Sequence, residues 1–526
     1  MTDGSNSQQS AVSAFSTIII ARSCSLFLDS GPKIRVPVTE LPTEILLRIF
    51  RLVYAENRSL QLESFHSDRV FEDWTHEEPL SPSLFPFAIA AVCSRWCDVA
   101  ATVPEFWTRM TVTVDKNPTD ISAIRACLRW SCLLPLDITV TRSVIDNDTP
   151  DEVECQRAQS IRALLRPHLN RIRRLHISVL HSNTLPFLFT NLDGPAELLQ
   201  SLKLGSVIDD GGSKRIRPSD GPLVAPVLDT LDISGRCLQD GFLQRSTQIT
   251  LMSKITSVKI SRYRPFGARA EGLSLWQTLR TLGQLPLLDD LTLCDVHFDI
   301  DQNTLGGPAV SLSRLQTLAF EKLDDSNVLK IVFAVLIGAR LSSTIITDCK
   351  VDTLGRICFT DYLTFENMDT SKSFVNVLRH WNGSSLTLDN CAGVDDGFFD
   401  VMTKPFKSTS EEECYIAPRM TKLRLLNCDH FTAPALRRFI QARIRAASAP
   451  QWGFLNPLAT ESDDEDMLTM NTKAISWLDV RGRGPVITEA DAALLSGRVG
   501  MFSWDALQPN GKRCSVAYYS KKVVIK

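Results

Sequence analysis

Few side chains in this 526-residue chain are spaced for covalent chemistry. Cys93 and Cys97 stand one helical turn apart, the spacing of a metal-ligand pair, but two further ligands are missing nearby and the pair reads as packing. The eight histidines are scattered, and none pairs with a cysteine at finger spacing. There is no phosphate loop of the type Gly-x-x-x-x-Gly-Lys-Ser/Thr, no Gly-x-Ser-x-Gly elbow and no His-Glu-x-x-His. No catalytic residue, metal site or cofactor site is therefore expected. One stretch does combine cations with a ring: Arg262-Tyr263-Arg264-Pro265, followed by Arg269. Guanidinium groups beside an aromatic ring could grip an acidic or phosphorylated segment or stack on RNA bases. The competing reading is an ordinary edge of a repeat. The acidic run Glu461-Ser462-Asp463-Asp464-Glu465-Asp466 reads as a solvated loop, or as an acid-flanked phosphorylation site at Ser462.

The bulk numbers agree with a binding protein. Apolar residues make up 44% and charged residues 22%, as in ordinary folded chains. A formal net charge of −3 offers no general attraction to nucleic acid or anionic membrane, so neither is expected as a partner. The longest apolar run, Ile331 to Ala339, is too short to span a bilayer, and the N-terminal MTDGSNSQQS lacks the basic start of a signal peptide. The 14 cysteines are scattered and form no Cys-x-x-Cys pair. They read as reduced core residues of a cytoplasmic or nuclear protein.

Two kinds of element must carry any binding surface. Over most of the chain the pattern apolar-x-x-apolar-x-apolar recurs: Ile172/Leu175/Ile177, Leu199/Leu202/Leu204, Leu228/Leu231/Ile233, Ile255/Val258/Ile260, Leu288/Leu291/Leu293 and Leu315/Leu318/Phe320. Met420/Leu423/Leu425 and Ile475/Leu478/Val480 continue it. The middle residues of the first six are 27, 29, 27, 33 and 27 apart, close to the period of leucine-rich repeats. Cys349, Cys391 and Cys428 each follow the last apolar position by three residues, where a small side chain with a weak S–H donor can turn the chain off a strand. Helical stretches, Leu329 to Arg340 and Ala433 to Ala447 among them, alternate with the strands. Neither a strand nor a helix of this length can bury its apolar face alone, so neighbours must stack. Roughly ten such repeats would give a sheet about 45–50 Å long. The spacing becomes irregular between 355 and 475. A doubly wound α/β domain is the rival architecture, but its long apolar strands and glycine-rich turns are missing.

The other kind of element is a small helical module near the start. Thr43 onward carries Ile45, Leu46, Ile49, Phe50 and Val53 on one helical face, after Leu41-Pro42. A second helix is expected from about Leu84 to Ala101, with Ile89, Val92, Cys93, Trp96 and Val99 as its stripe. Pro104-Glu105-Phe106-Trp107 closes the unit. The ordered set Leu-Pro, Ile-Leu, Ile-Phe, Val-Cys-x-x-Trp, Pro-x-Phe-Trp resembles an F-box, and with the following strand Met110 to Val114, helix Ile121 to Leu133 and strand Leu136-Asp137-Ile138 it looks like the F-box proteins abundant in mushroom-forming fungi. The 41 residues between Phe50 and Val92 depart from the usual short link and read as an inserted loop at about 55–83.

The resemblance implies an α/β protein. A small N-terminal helical F-box would precede a leucine-rich-repeat solenoid with parallel strands and helices on the convex side. The expected domains are a disordered lead at 1–35, the F-box at 36–110, repeats at 111–505 and a cap or tail at 506–526. It also implies partners: the Skp adaptor, through it a cullin, and a target held on the repeat surface. Leu41, Pro42, Ile45, Leu46, Ile49, Val92 and Trp96 match the adaptor-contacting positions. Arg262, Tyr263 and Arg264 are the candidates for target contact. Such a protein selects substrates for ubiquitin transfer and does no chemistry itself. A repeat scaffold acting without a cullin is the alternative.

Overall fold

The structure is a computed structural model that describes residues 40–63, 85–142, 153–186, 192, 194–209, 223–243, 253–264, 272–300, 310–336, 339, 341–351, 360–369, 371–407, 413–448, 472–507, 513–519 and 522–524. The lead at 1–35, the acidic run 461–466, Pro265 and Arg269 lie outside them. The chain forms two compact units, Met1–Ile208 with Arg217–Leu228 and Asp209–Ile216 with Asp229–Lys526. The division falls inside the span read as one repeat region, so both units carry repeats.

Among the described residues, the first helix of the first unit is α1 (Thr43–Glu63). The Pro42 carbonyl accepts from the Ile45 and Leu46 amides, and a proline just ahead of the helix loses nothing by lacking its own N–H. The helix runs on to Glu63, well into the stretch expected as a loop. Leu60-Gln61-Leu62-Glu63 are all good helix formers, which accounts for the extension. The expected second helix is two: α2 (Phe87–Ala90) and α3 (Ser94–Ala101). A tight Val92 N–H to Ile89 carbonyl bond ends the first, and Cys93, extended at φ −165° and ψ 167°, restarts the chain ahead of the second. A 3-10 turn at Pro104–Trp107 leads into strand–helix repeats. These are β1 (Arg109–Thr113), α4 (Ile121–Trp130), β2 (Leu136–Thr141), α5 (Glu154–Leu165), β3 (Ile172–His181) and β4 (Ser201–Ile208). The strands are parallel, and Met110, Ile138, Leu175 and Leu202 align as one buried column. Asp120 caps the start of α4 by accepting from the Ser122 amide, and the Arg171 guanidinium closes its end on the Leu128 and Leu134 carbonyls.

Among the described residues of the second unit, ten parallel strands join the large sheet: β5 (Thr230–Ser234), β6 (Ser257–Tyr263), β7 (Asp290–Val296), β8 (Thr317–Glu321), β9 (Ser343–Thr347), β10 (Tyr362–Glu366), β11 (Ser385–Asp389), β12 (Lys422–Leu426), β13 (Trp477–Arg483) and β14 (Met501–Leu507). Their register is continuous. Leu231, Val258, Leu291, Leu318, Thr344, Leu363, Leu386, Leu423, Leu478 and Phe502 form one column. Two residues on, Ile233, Ile260, Leu293, Phe320, Ile346, Phe365, Leu388, Leu425, Val480 and Trp504 form a second; both columns are buried throughout. Each buried leucine contributes about 1.5–3 kcal/mol, so the two columns outweigh weak local propensity. β10 was not foreseen, and the ladder crosses 355–475 without a break although the sequence spacing there is irregular. Between strands lie α6 (Leu275–Leu282), α7 (Ser326–Val335), α8 (Ser371–Leu378), α9 (Asp396–Met402), α10 (Ala433–Ser448) and α11 (Glu489–Arg498). The expected helix Leu329 to Arg340 starts earlier, capped by Asp325, and ends at Val335. Two antiparallel strands, β15 (Arg513–Tyr519) and β16 (Lys522–Val524), follow β14 and end the parallel stack.

Candidate functional site

The N-terminal module has an inner and an outer side. Inside, Leu46, Phe50 and Trp96 are buried, with the Phe50 and Trp96 rings edge-on at 5.1 Å. Tyr54, Phe85 and Phe106 form an adjoining cluster with centroids 4.6–5.3 Å apart. Trp107 donates its indole N–H to the Ala100 carbonyl at 2.9 Å and packs on Trp130 of α4 at 4.4 Å, which fastens the module to the first repeat. Arg95 donates to the Leu41 carbonyl at 2.6 Å and pins the Leu-Pro step to α3. Outside, Pro42 is exposed, and Ile45 (45%), Leu52 (64%), Phe87 (39%) and Val92 (38%) show large apolar area to solvent. Ile45, Ile49 and Leu52 follow one another at four and three residues and so share one stripe of α1. Of the seven positions matched on sequence, Pro42, Ile45 and Val92 are open, and Leu41 and Ile49 are half-buried. Leu46 and Trp96 face the interior, because their stripe packs against the rest of the module. Leu52 and Phe87 are outward too although the matched set did not include them; the i, i+4, i+7 spacing from Ile45 was the available sign for Leu52.

In the second unit the strands end in a repeated corner. Arg262, Asp295, Lys322, Asp348, Asn367, Asn390 and Asn427 all have φ between 49° and 54°, each two residues beyond an inward apolar position. Gly482, φ 74°, holds the same place after Val480, where a Cβ would collide with the Asn427 side chain. Asn and Asp tolerate this left-handed conformation best, and here they also bond across repeats: Asn390 donates to Asn367 at 2.7 Å and Asn427 to Asp389 at 2.9 Å. The residue after each corner turns inward. Cys349, Cys391 and Cys428 are buried there, their S–H groups donating to the carbonyls of Thr347, Asp389 and Leu426 at 3.2–3.3 Å. Burial pushes the Cys349 and Cys428 thiols up to about 11 and Cys391 to about 12.

That corner also places Arg262, Tyr263 and Arg264. Tyr263 occupies the same inward column as the three cysteines; it is buried and donates its hydroxyl to Gln239 at 2.8 Å. Its ring is closed to any ligand. Arg264 is exposed but bonded to Asp295 (Nε to Oδ1, 2.8 Å), a contact that holds its guanidinium above its ordinary range. Arg262 is the exposed left-handed residue. The three are adjacent in sequence but do not converge.

A basic and aromatic combination does converge elsewhere. Lys422 and Arg424 on β12 lie over the Trp477 ring of β13, at 5.6 and 5.8 Å from its centroid. Asp479, wholly buried, sits between the guanidinium groups of Arg424 (3.4 Å) and Arg481 (2.9 Å). These residues occupy the x positions of the Leu-x-Leu strands; reading those positions separately would have revealed them. Cys93 and Cys97 lie at the start of α3, and among the described residues no group of three or more His, Cys, Asp or Glu is placed to hold a metal ion. No described helix is long and apolar enough to cross a membrane.

No protein-family model matches the chain. No curated protein matches it either. Among solved structures it is similar to an internalin from Listeria monocytogenes, at 12% identity over 65% of this chain and 86% of that one, with a TM-score of 0.26.

Proposed function

We propose that this chain is the substrate-recognition subunit of a Skp–cullin–F-box ubiquitin ligase. In this reading the N-terminal helices are an F-box that docks on the Skp adaptor, and the repeats hold the target. Transfer is accelerated by bringing target and ubiquitin-carrying enzyme together, which raises their effective concentration, while the thioester chemistry belongs to another protein. The reading carries a cytoplasmic or nuclear location with it. The observation that supports it is the two-sided module: Leu46, Phe50 and Trp96 satisfy the interior, and Ile45, Leu52, Phe87 and Val92 remain outward. Apolar surface left outward on helices already packed on their other side is characteristic of partner contact.

The test is co-purification from cells. Wild type should carry the Skp adaptor and a cullin. Ile45→Asp with Val92→Asp should lose both without lowering the unfolding midpoint, since both side chains are outward. Retained adaptor in that double variant refutes the docking assignment. Adaptor without cullin favours the scaffold reading.

A further inference from the structure

We propose that the outward face of β12 and β13 grips an extended, carboxylate-rich segment of a partner protein; this deepens the receptor reading and rests on it. Strand alternation sends Leu423, Leu425, Leu478 and Val480 inward and leaves Lys422, Arg424, Trp477, Asp479 and Arg481 on the other side. Register sets Lys422 beside Trp477 and Arg424 beside Asp479. On these two strands Lys422, Arg424 and Arg481 thus face Asp479, and Asp505 of β14, in register with Arg481, is itself bonded to Arg513. Asp479 draws the inner nitrogens of Arg424 and Arg481 toward itself, which fixes both guanidinium groups before any ligand arrives. Lys422 lies over the indole ring, and among the described residues no ion pair to its ammonium is found. Elsewhere along the second unit, cations are matched by carboxylates: Lys259 by Glu321 at 2.9 Å, Arg264 by Asp295, and Lys350 by Asp324 at 3.5 Å.

The spacing selects the ligand. Lys422 and Arg424 are alternate residues of one strand, about 6.8 Å apart, and β13 lies about 4.8 Å to the side. Cations laid out in this grid do not close on one point, as a single phosphate requires. They match alternate side chains of an extended peptide, whose repeat is also about 6.8 Å. Met501, exposed and in register with Trp477, and Tyr362, exposed on β10, flank the cations with apolar area on the same face.

The test uses the full chain and a fluorescein-labelled dodecapeptide of alternating Glu and Thr, read by anisotropy at low and physiological salt. Two comparison probes are an alternating Lys–Thr peptide and a Thr-rich peptide with one phosphoserine. The Glu–Thr peptide should bind wild type, less tightly as salt rises. Lys422→Glu should weaken it about tenfold, Lys422→Gln less, and Arg445→Glu on α10 should stay within about twofold of wild type. No binding by wild type, equal loss in the Arg445 variant, or binding of the phosphoserine peptide alone overturns the proposal. So does binding that appears only after Asp463, Asp464, Glu465 and Asp466 are neutralised, which would assign the face to the chain's own acidic run. Adaptor co-purification with Lys422→Glu keeps the two readings apart. Lost peptide with retained adaptor counts against this inference alone; intact peptide binding by a wild type that carries no adaptor counts against the receptor reading alone.

Discussion

The end of β6 and the pair β12–β13 both put arginine or lysine beside an aromatic ring, and they behave in opposite ways. At the end of β6, Tyr263 is buried and Arg264 is paired with Asp295. On β12 and β13 the ring of Trp477 stays half-exposed beneath two cations. Composition is the same; position in the repeat is not. Tyr263 stands one residue past a left-handed corner, in the column that turns inward at Leu323, Cys349, Cys391 and Cys428. Trp477 stands at an x position, which alternation keeps on the outer face. A basic–aromatic motif in a strand–helix repeat therefore signals a surface only when its ring has the parity of the outward residues.

The strongest way to break the comparison is to truncate both rings. Tyr263→Ala should cost about 3–5 kcal/mol, the range for a buried aromatic side chain, and it also strands Gln239. Trp477→Ala should cost under about 1 kcal/mol, because its ring is partly solvated. Urea unfolding of the two variants decides it; similar midpoints would erase the distinction. Next in size is Asp479→Ala. It leaves Arg424 and Arg481 without their shared carboxylate and should cost about 2 kcal/mol, below the full penalty for a buried pair since both arginines reach solvent. A thermal midpoint no lower than wild type would mean that Asp479 does not organise the face.

A pH series sharpens the corner column. The thiols of Cys349, Cys391 and Cys428 have folded values raised by burial above the unfolded value near 9. Their contribution is fully present below pH 9 and is lost as pH rises through about 11–12, because the unfolded chain gives up these protons first. Unfolding midpoints should fall above pH 9, and Cys391→Ala should reduce that fall; an unchanged slope would remove the thiol from the account. The smallest effect expected is Arg264→Ala, under about 1 kcal/mol for an exposed pair. A larger loss in the same urea assay would mean that this corner is held by its ion pair rather than by the buried tyrosine.

The strands were legible because the apolar-x-x-apolar-x-apolar spacing records burial directly, and Leu231 through Val480 fall where that spacing puts them. β10 escaped because Leu363-x-Phe365 is followed by Met368 where its neighbours have cysteine. The break between α2 and α3 escaped because Ile89, Val92, Trp96 and Val99 keep a helical period across an extended Cys93. Side-chain direction was the weakest inference. Leu46 and Trp96 share a stripe with residues that do face outward, and periodicity cannot say which half of a stripe finds an internal partner. Tyr263 is the instructive miss, since the rule that buried the three cysteines already applied to it.

The ladder keeps its register whether successive inward leucines are 23 residues apart, from Leu363 to Leu386, or 55, from Leu423 to Leu478. Strand pairing, rather than the length of the excursion between strands, sets alignment. The stretch joining α10 to β13 is consequently a natural splice point for engineering. A folded reporter grafted there would ride on the second unit without displacing β13 from β12, carrying a fluorescent or affinity handle while the strands on either side kept their places.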